Sequence, residues 1–413
     1  MSATESTPAD NGDRAAYRSF LTAFVASSAL LLAAISAMNV VVDPHGAWQT
    51  KLLTGGYDGA GSRIGKGELL HRYRGSTVLL GNSRTKIGVR PDGPGIPSAP
   101  ACNLGFPGAV ARELWMTVDR SAEQPTVRSI LLFVDFTMFV DIFLKADFTM
   151  SRFQAERSGF DHGCDLLFNG RTLGYSCEQL TRILMGEPPE YTPEGFSIPE
   201  RLPLRAVAQR DRTIKMLNQA MTIGGHFERL RYAPATVEPL RAVIRHCRER
   251  SVQLTVAINP AHATMFEGVF QWDLWDDYQR WMRDLTRVID EESQGQVVLW
   301  DFAGFHAYTT EPLLAETDAE TAQWFWEPSH YKAAMGDRML ERIYGLPSAD
   351  PNLGVRLTNA NIDARLQVIA SDRQRWLTSQ ATDAQWVADL VRTAQGHSAT
   401  KLAAGVGSET ERR

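Results

Sequence analysis

The chain has 413 residues, 44% hydrophobic and 22% charged, enough apolar material for one large domain with additions or two ordinary ones. Its net charge of −5, with Arg and Lys scattered rather than striped, gives no reason to expect nucleic acid as a partner. Four cysteines are too few for a disulfide scaffold, and nine histidines without metal-ligand spacing point to no metal.

Residues 1–19, rich in Ser, Thr, Asp and Pro, read as a disordered tail. Residues 20–42, FLTAFVASSALLLAAISAMNVVV, carry no charge, and about 20 apolar residues suffice for a helix to cross a bilayer. A cleaved signal peptide is the alternative, but its apolar region is shorter and Ile35-Ser36-Ala37 makes a poor small-x-small exit. The absence of any polar face argues against a buried core helix. Arg14 and Arg18 precede the span and Asp43 follows it, so the tail stays in the cytoplasm and the rest lies outside. The expectation is a single-pass protein of the inner membrane with a periplasmic main domain.

Next comes Gly59-Ala60-Gly61-Ser62-Arg63-Ile64-Gly65-Lys66-Gly67, which fails both phosphate-loop and dinucleotide patterns and reads as a flexible loop. No cofactor is implied. Apolar runs at Thr77–Leu80, Ser129–Val134, Val252–Ile258 and Gln296–Trp300 read as buried strands. Amphipathic stretches at Val110–Ala122, Val237–Ser251 and Trp272–Glu292 lie between them. Strands alternating with helices predict an α/β fold, a parallel sheet with helices on both faces. The gap between the second and third runs is too long for a simple crossover, so 137–236 reads as an insertion beside the sheet. It holds Cys164 and Cys177, close enough in sequence to pair in an oxidising compartment or to remain free thiols. Residues 347–396 read as a helical appendage and 397–413 as a disordered tail.

Three segments carry candidate chemistry. The first strand runs into Gly81-Asn82-Ser83, which places a serine at the carboxyl end of a parallel strand, where open α/β sheets bind ligands. Asn103-Leu104-Gly105-Phe106-Pro107-Gly108 precedes a helix, and the Gly105 N–H is a candidate oxyanion donor. Trp324-Phe325-Trp326-Glu327-Pro328-Ser329-His330 offers a base, His330, with a carboxylate three residues earlier to orient it. Taken singly, each is as well explained by a turn, a glycine-rich connection or a loop entering a helix at Tyr331–Ile343. His262, after Asn259-Pro260-Ala261, either borders the pocket or is structural. Trp324 and Trp326 read as core before they read as sugar-stacking surface.

In that order the three segments resemble the SGNH (GDSL-type) hydrolase superfamily. The run Asn39-Val40-Val41-Val42-Asp43-Pro44 after the anchor, Asn259-Pro260-Ala261-His262 and the Trp-rich helix beyond it resemble its membrane-tethered branch, which includes the SGNH-like proteins of alginate and exopolysaccharide O-acetylation. The resemblance covers about 41–346 without most of the insertion and implies a flavodoxin-like three-layer fold. It implies Ser83 as nucleophile, His330 as base, Glu327 or Asp301 as orienter, and Gly105 in the oxyanion hole. The sequence departs from the family pattern at three places: Asn82 replaces Asp, Glu327 replaces Asp, and Asp135 stands where an oxyanion Asn is usual. An ionised Asp135 cannot donate, so Thr137 or a protonated Asp135 would have to substitute. The implied function is an extracytoplasmic serine esterase or O-acyltransferase acting on an envelope glycan or acyl donor. The alternative is an inactive carbohydrate-binding or assembly scaffold with envelope-complex partners.

Overall fold

The computed structural model describes residues 10–50, 52–53, 61–97, 100–141, 144–154, 158–198, 209–222, 225–312 and 322–410. The chain opens with helix α1 (Asp10–Val42), whose stretch Arg14–Val42 is long and apolar enough to cross a membrane. Phe20, Phe24, Leu30 and Leu31 on it are exposed, so no other described residue covers them. Asp43 ends the helix at φ +49°, and its carboxylate accepts from Gln49 N at 2.6 Å, which turns the chain back.

Of the glycine-rich stretch expected to be a loop, 59–60 lie outside the described residues and 63–67 instead open a buried helix, α2 (Arg63–Arg72), capped by the Ser62 hydroxyl. Low propensity is overridden by tertiary contact: a Cβ on Gly67 would lie 3.1 Å from Arg152 N, so glycine permits the packing that buries the helix. The sheet then begins with β1 (Thr77–Leu80), followed by α3 (Ser83–Gly88), β2 (Cys102–Asn103), α4 (Ala111–Ala122) and β3 (Ser129–Val134). The region read as an insertion is helical: α5 (Ala146–Thr149), α6 (Gly159–Phe168), α7 (Gly170–Leu184), α8 (Gln209–Met221) and α9 (His226–Arg229). α6 and α7 pack on α1, where buried Asn39 donates to Leu167 O at 2.9 Å and accepts from Ser176 Oγ at 2.8 Å. Cys164 and Cys177, on these two helices, are free thiols rather than a pair.

The main domain resumes with α10 (Leu240–Glu249), β4 (Gln253–Ile258), α11 (Ala263–Gln271), α12 (Trp275–Ser293) and β5 (Val298–Asp301). The hairpin β6 (Phe325–Glu327) and β7 (His330–Tyr331) precedes α13 (Ala333–Tyr344), β8 (Val355–Leu357), α14 (Ile362–Ser379) and α15 (Ala381–Thr410). Sheet order is β2-β1-β3-β4-β5-β8, parallel except for β8. Alternate residues serve two cores, which is why the strands read as unbroken apolar runs. Val78, Leu80, Ile130, Leu132, Leu254 and Val256 face the larger core with residues of α4, α10 and α12. Leu79, Leu131, Phe133 and Trp300 face Met335, Met339 and Leu340 of α13. Helices therefore cover both faces, and the strand order reverses between β1 and β3, where a doubly wound sheet opens its binding crevice.

Three boundaries differ from the sequence-based expectation. Residues 10–19, expected to lie in a disordered tail, already belong to α1, while 1–9 lie outside the described residues. The C-terminal helices are part of the main core, since Ile362, Leu366, Ile369 and Trp376 are buried in it and Arg365 and Arg373 bond Asp301 and Glu267. The segment expected to be a disordered tail is helical as far as Thr410.

Lys66 links α2 to the sheet edge. It is fully buried, and its Nζ donates to Asn103 O at 2.7 Å and to Gly195 O. Burial, with Lys86 nearby, pushes its ammonium down to about 7. An unfolded chain keeps that proton to about pH 10.4, so above pH 7 the unfolded state binds more protons and stability rises by about 1.4 kcal/mol per pH unit. Urea unfolding at pH 7 and pH 9 should show this rise in the wild type relative to Lys66→Met. Equal pH slopes in the two proteins would show that Lys66 stays charged when folded.

Candidate active site

The carboxyl end of β1 is built for a sharp turn. A Cβ on Gly81 would meet the Thr85 side chain and sit 2.9 Å from Phe133 O, so only glycine fits. Asn82 caps α3, its Oδ1 accepting from Arg84 N at 2.9 Å. Ser83 is then the first helical residue, and its N–H has no intrahelical acceptor. Across the crevice, the β6–β7 hairpin carries the other two members.

Ser83 Oγ lies 2.7 Å from His330 Nε2. The other ring nitrogen, Nδ1, bonds to Glu327, which also accepts from Ser329 N at 2.8 Å and His330 N at 2.9 Å. A carboxylate can only accept, so Nδ1 carries the proton and Nε2 is free to take one from the serine hydroxyl. Glu327 is buried. Burial alone would push its carboxyl up, but the His330 ring, the Ser329 N–H and the Arg84 charge outweigh it and hold it below the ordinary glutamate value. Ser83, Glu327 and His330 thus stand in one hydrogen-bonded line.

The other candidates lie elsewhere. Asp301 accepts from Arg365 Nε at 2.6 Å and Ala303 N at 2.9 Å, a structural tie to α14 that leaves the orienting place to Glu327. His262 is fully buried: Nδ1 meets Thr264 Oγ1 at 2.9 Å and Nε2 bonds Glu311 O at 2.7 Å. Burial pushes it down to about 4, so it is a neutral structural histidine capping α11. Trp326 is buried, and Trp324 is half-buried against Tyr308 at 4.7 Å, so neither is an open sugar platform.

The oxyanion side is arranged differently from expectation. Gly105 packs so closely that a Cβ would sit 2.6 Å from Lys86 N, and its N–H donates to Asn103 Oδ1 at 2.9 Å. Asp135 does not face the crevice as a bare charge. It forms a buried ion pair with Arg84 and accepts from Asn82 Nδ2 and from Asn259 Nδ2 at 3.1 Å. Arg84 also reaches Ser329 Oγ at 3.4 Å. Thr137 borders a cavity of about 40 Å³ beside Arg84 and Asp135, lined mostly by apolar side chains, and no hydrogen bond joins it to Ser83.

Arg84 escaped the sequence analysis although a signal was present. β1 and β3 are neighbours, so the residues that follow each strand must meet, and a base after one with an acid after the other predicts a pair. Among the described residues no group of three His, Cys, Asp or Glu is placed to hold a metal ion. No family model and no curated protein matches the chain.

Proposed function

We propose that the chain is an SGNH-type serine acyl-transfer enzyme, held by α1 in the inner membrane with its main domain on the periplasmic side. The observation that carries this is the unbroken line Ser83–His330–Glu327 at the crevice of a doubly wound sheet. Ser83 Oγ attacks an ester carbonyl as its proton passes to His330 Nε2, and Glu327 stabilises the resulting imidazolium. His330 returns that proton to the departing alcohol, which leaves Ser83 acylated. Water or a glycan hydroxyl then attacks the acyl-enzyme, giving hydrolysis or transfer. The resemblance to the membrane-tethered SGNH branch, with the anchor, favours an acylated envelope or exopolysaccharide glycan as substrate.

Charge on the carbonyl oxygen is met by the Ser83 N–H and by the Arg84 guanidinium. With Arg84 beside it, Asp135 no longer presents the net repulsion an isolated carboxylate would exert. The inactive-scaffold reading draws on the Gly105 N–H, which is already engaged, and on the absence of an amide donor at Asp135. A fluorophosphonate probe separates the two. The full chain in detergent should form a covalent adduct that Ser83→Ala abolishes and His330→Ala slows by at least about a thousandfold. Labelling of wild type no faster than of Ser83→Ala would favour the scaffold.

A further inference from the structure

Buried polar groups are nearly always partnered, so the exceptions are informative. The most conspicuous among the described residues is Arg212. It is 6% exposed, and its Nε, Nη1 and Nη2 are buried without a hydrogen-bond partner. An arginine does not shed its proton in a protein, so this is a full positive charge with its donors unmet. Arg212 stands in the first turn of the 13-residue helix α8, where unpaired backbone N–H groups add positive potential.

α8 packs against β6, the strand that carries Glu327, and the Glu327 charge reaches Arg212. Glu327 is not its hydrogen-bond partner: its oxygens accept from Ser329 and His330, and none of the Arg212 side-chain nitrogens has a partner. The same two elements hold two more buried groups able to donate and without partners, Thr213 Oγ1 and Trp326 Nε1. What is missing beside the triad is an acceptor with several oxygens.

We propose that Arg212 receives an anionic group of the substrate, a carboxylate or a phosphate, and so selects acidic over neutral substrates. This rests on the reading of the neighbouring triad as a substrate site. A guanidinium fork matches either oxyanion with two parallel hydrogen bonds, which a lysine cannot reproduce. The cation comes from the region read as an insertion and the triad from the end of β1 and the β6–β7 hairpin, so anion capture would also hold α8 against the crevice.

The test is binding to the full chain in detergent, by thermal denaturation and calorimetry, at constant ionic strength. The probes are sodium glucuronate for the carboxylate, inorganic phosphate for the phosphate, and glucose as the neutral control. Wild type should bind one of the anions in the millimolar range and be stabilised by it, and the stronger anion identifies the source. Arg212→Gln should weaken binding at least about tenfold, and Arg212→Lys about fivefold. Equal anion binding by wild type and either variant, or no response of wild type to either anion, would overturn the proposal. Arg212→Lys serves where Arg212→Gln fails to fold. Ser83→Ala binds the anion whether or not Ser83 is a nucleophile, so failure of the fluorophosphonate test leaves this measurement intact, and the reverse.

Discussion

Glu327→Gln is expected to lower kcat for an activated acetyl ester by about 10³–10⁴-fold, the loss that follows when a triad histidine is held in the wrong tautomer. The wild-type carboxylate accepts from the Ser329 N–H, the His330 N–H and the His330 ring. A glutamine has one acceptor and one donor end. If its oxygen faces His330, its NH₂ meets the Ser329 N–H and leaves a buried donor unmet, a cost of about 1–3 kcal/mol. If it turns round, the NH₂ faces Nδ1, the proton moves to Nε2, and His330 can no longer accept from Ser83. Glu327→Asp keeps the charge but is shorter by a methylene, so about 10–100-fold is expected, with the tautomer preserved.

The same carboxylate has a signature in stability. The folded state holds it below its usual value of 4.5, so the unfolded chain takes up its proton first as pH falls. Its contribution is therefore complete above that value and lost as pH drops through the lower folded one. Acid unfolding of wild type should show this loss, and Glu327→Gln should lack that part of it. A variant with normal kcat and an unchanged acid transition would remove Glu327 from the mechanism.

The sheet was legible because its strands are buried on both faces. SILLFV has no alternation to obscure it, QLTVAI is buried from Leu254 to Ile258 with Thr255 among them, and both ends are set by the polar residues that follow. What escaped was structure fixed by contacts distant in sequence. β2 has two residues, and no local pattern marks it, yet it pairs with β1 through Val78–Cys102 and Leu79–Asn103. α2 is rich in glycine, and its helical state depends on partners such as Arg152 and Asn103. The stretch Trp272–Glu292 reads as one helix, whereas α11 ends at Gln271 and α12 begins at Trp275. The ring stacking of Trp275 on Phe270 at 4.5 Å bridges that break, and periodicity alone cannot see it.

The site was legible to the extent that its chemistry is local. Glu327 and His330 are three residues apart on one hairpin, so their spacing already implied the contact. Ser83 follows a strand, so its position at the crevice followed from topology. The charge balance was not local. Asp135 read as an obstacle because its neutralising partner, Arg84, comes from another strand end 51 residues away. Arg212 was missed for a related reason, because nothing in its own segment shows that α8 comes to rest against β6.

Breaking the Arg84–Asp135 pair tests that charge balance. Both side chains are buried, with side-chain exposures of 10% and 3%. Removing one partner leaves the other charge uncompensated, so Arg84→Met should destabilise the protein by about 3–5 kcal/mol. Asn82 and Asn259 still donate to Asp135 and would soften the loss without neutralising it. Replacing the acid as well removes the stranded charge, and Arg84→Met/Asp135→Asn should recover most of that stability, giving a coupling energy of about 2–3 kcal/mol. Activity should separate from stability in the same variants. The double variant regains an amide at the end of β3 but lacks the Arg84 cation, so its turnover reports whether the guanidinium or the amide serves the oxyanion better. If Arg84 meets that charge in wild type, the double variant should be folded yet about 10²–10³-fold slower, the usual loss of one oxyanion donor. Full activity in a folded double variant would mean that the Arg84 cation is dispensable at the oxyanion, its place filled by the new amide or by the Ser83 N–H alone.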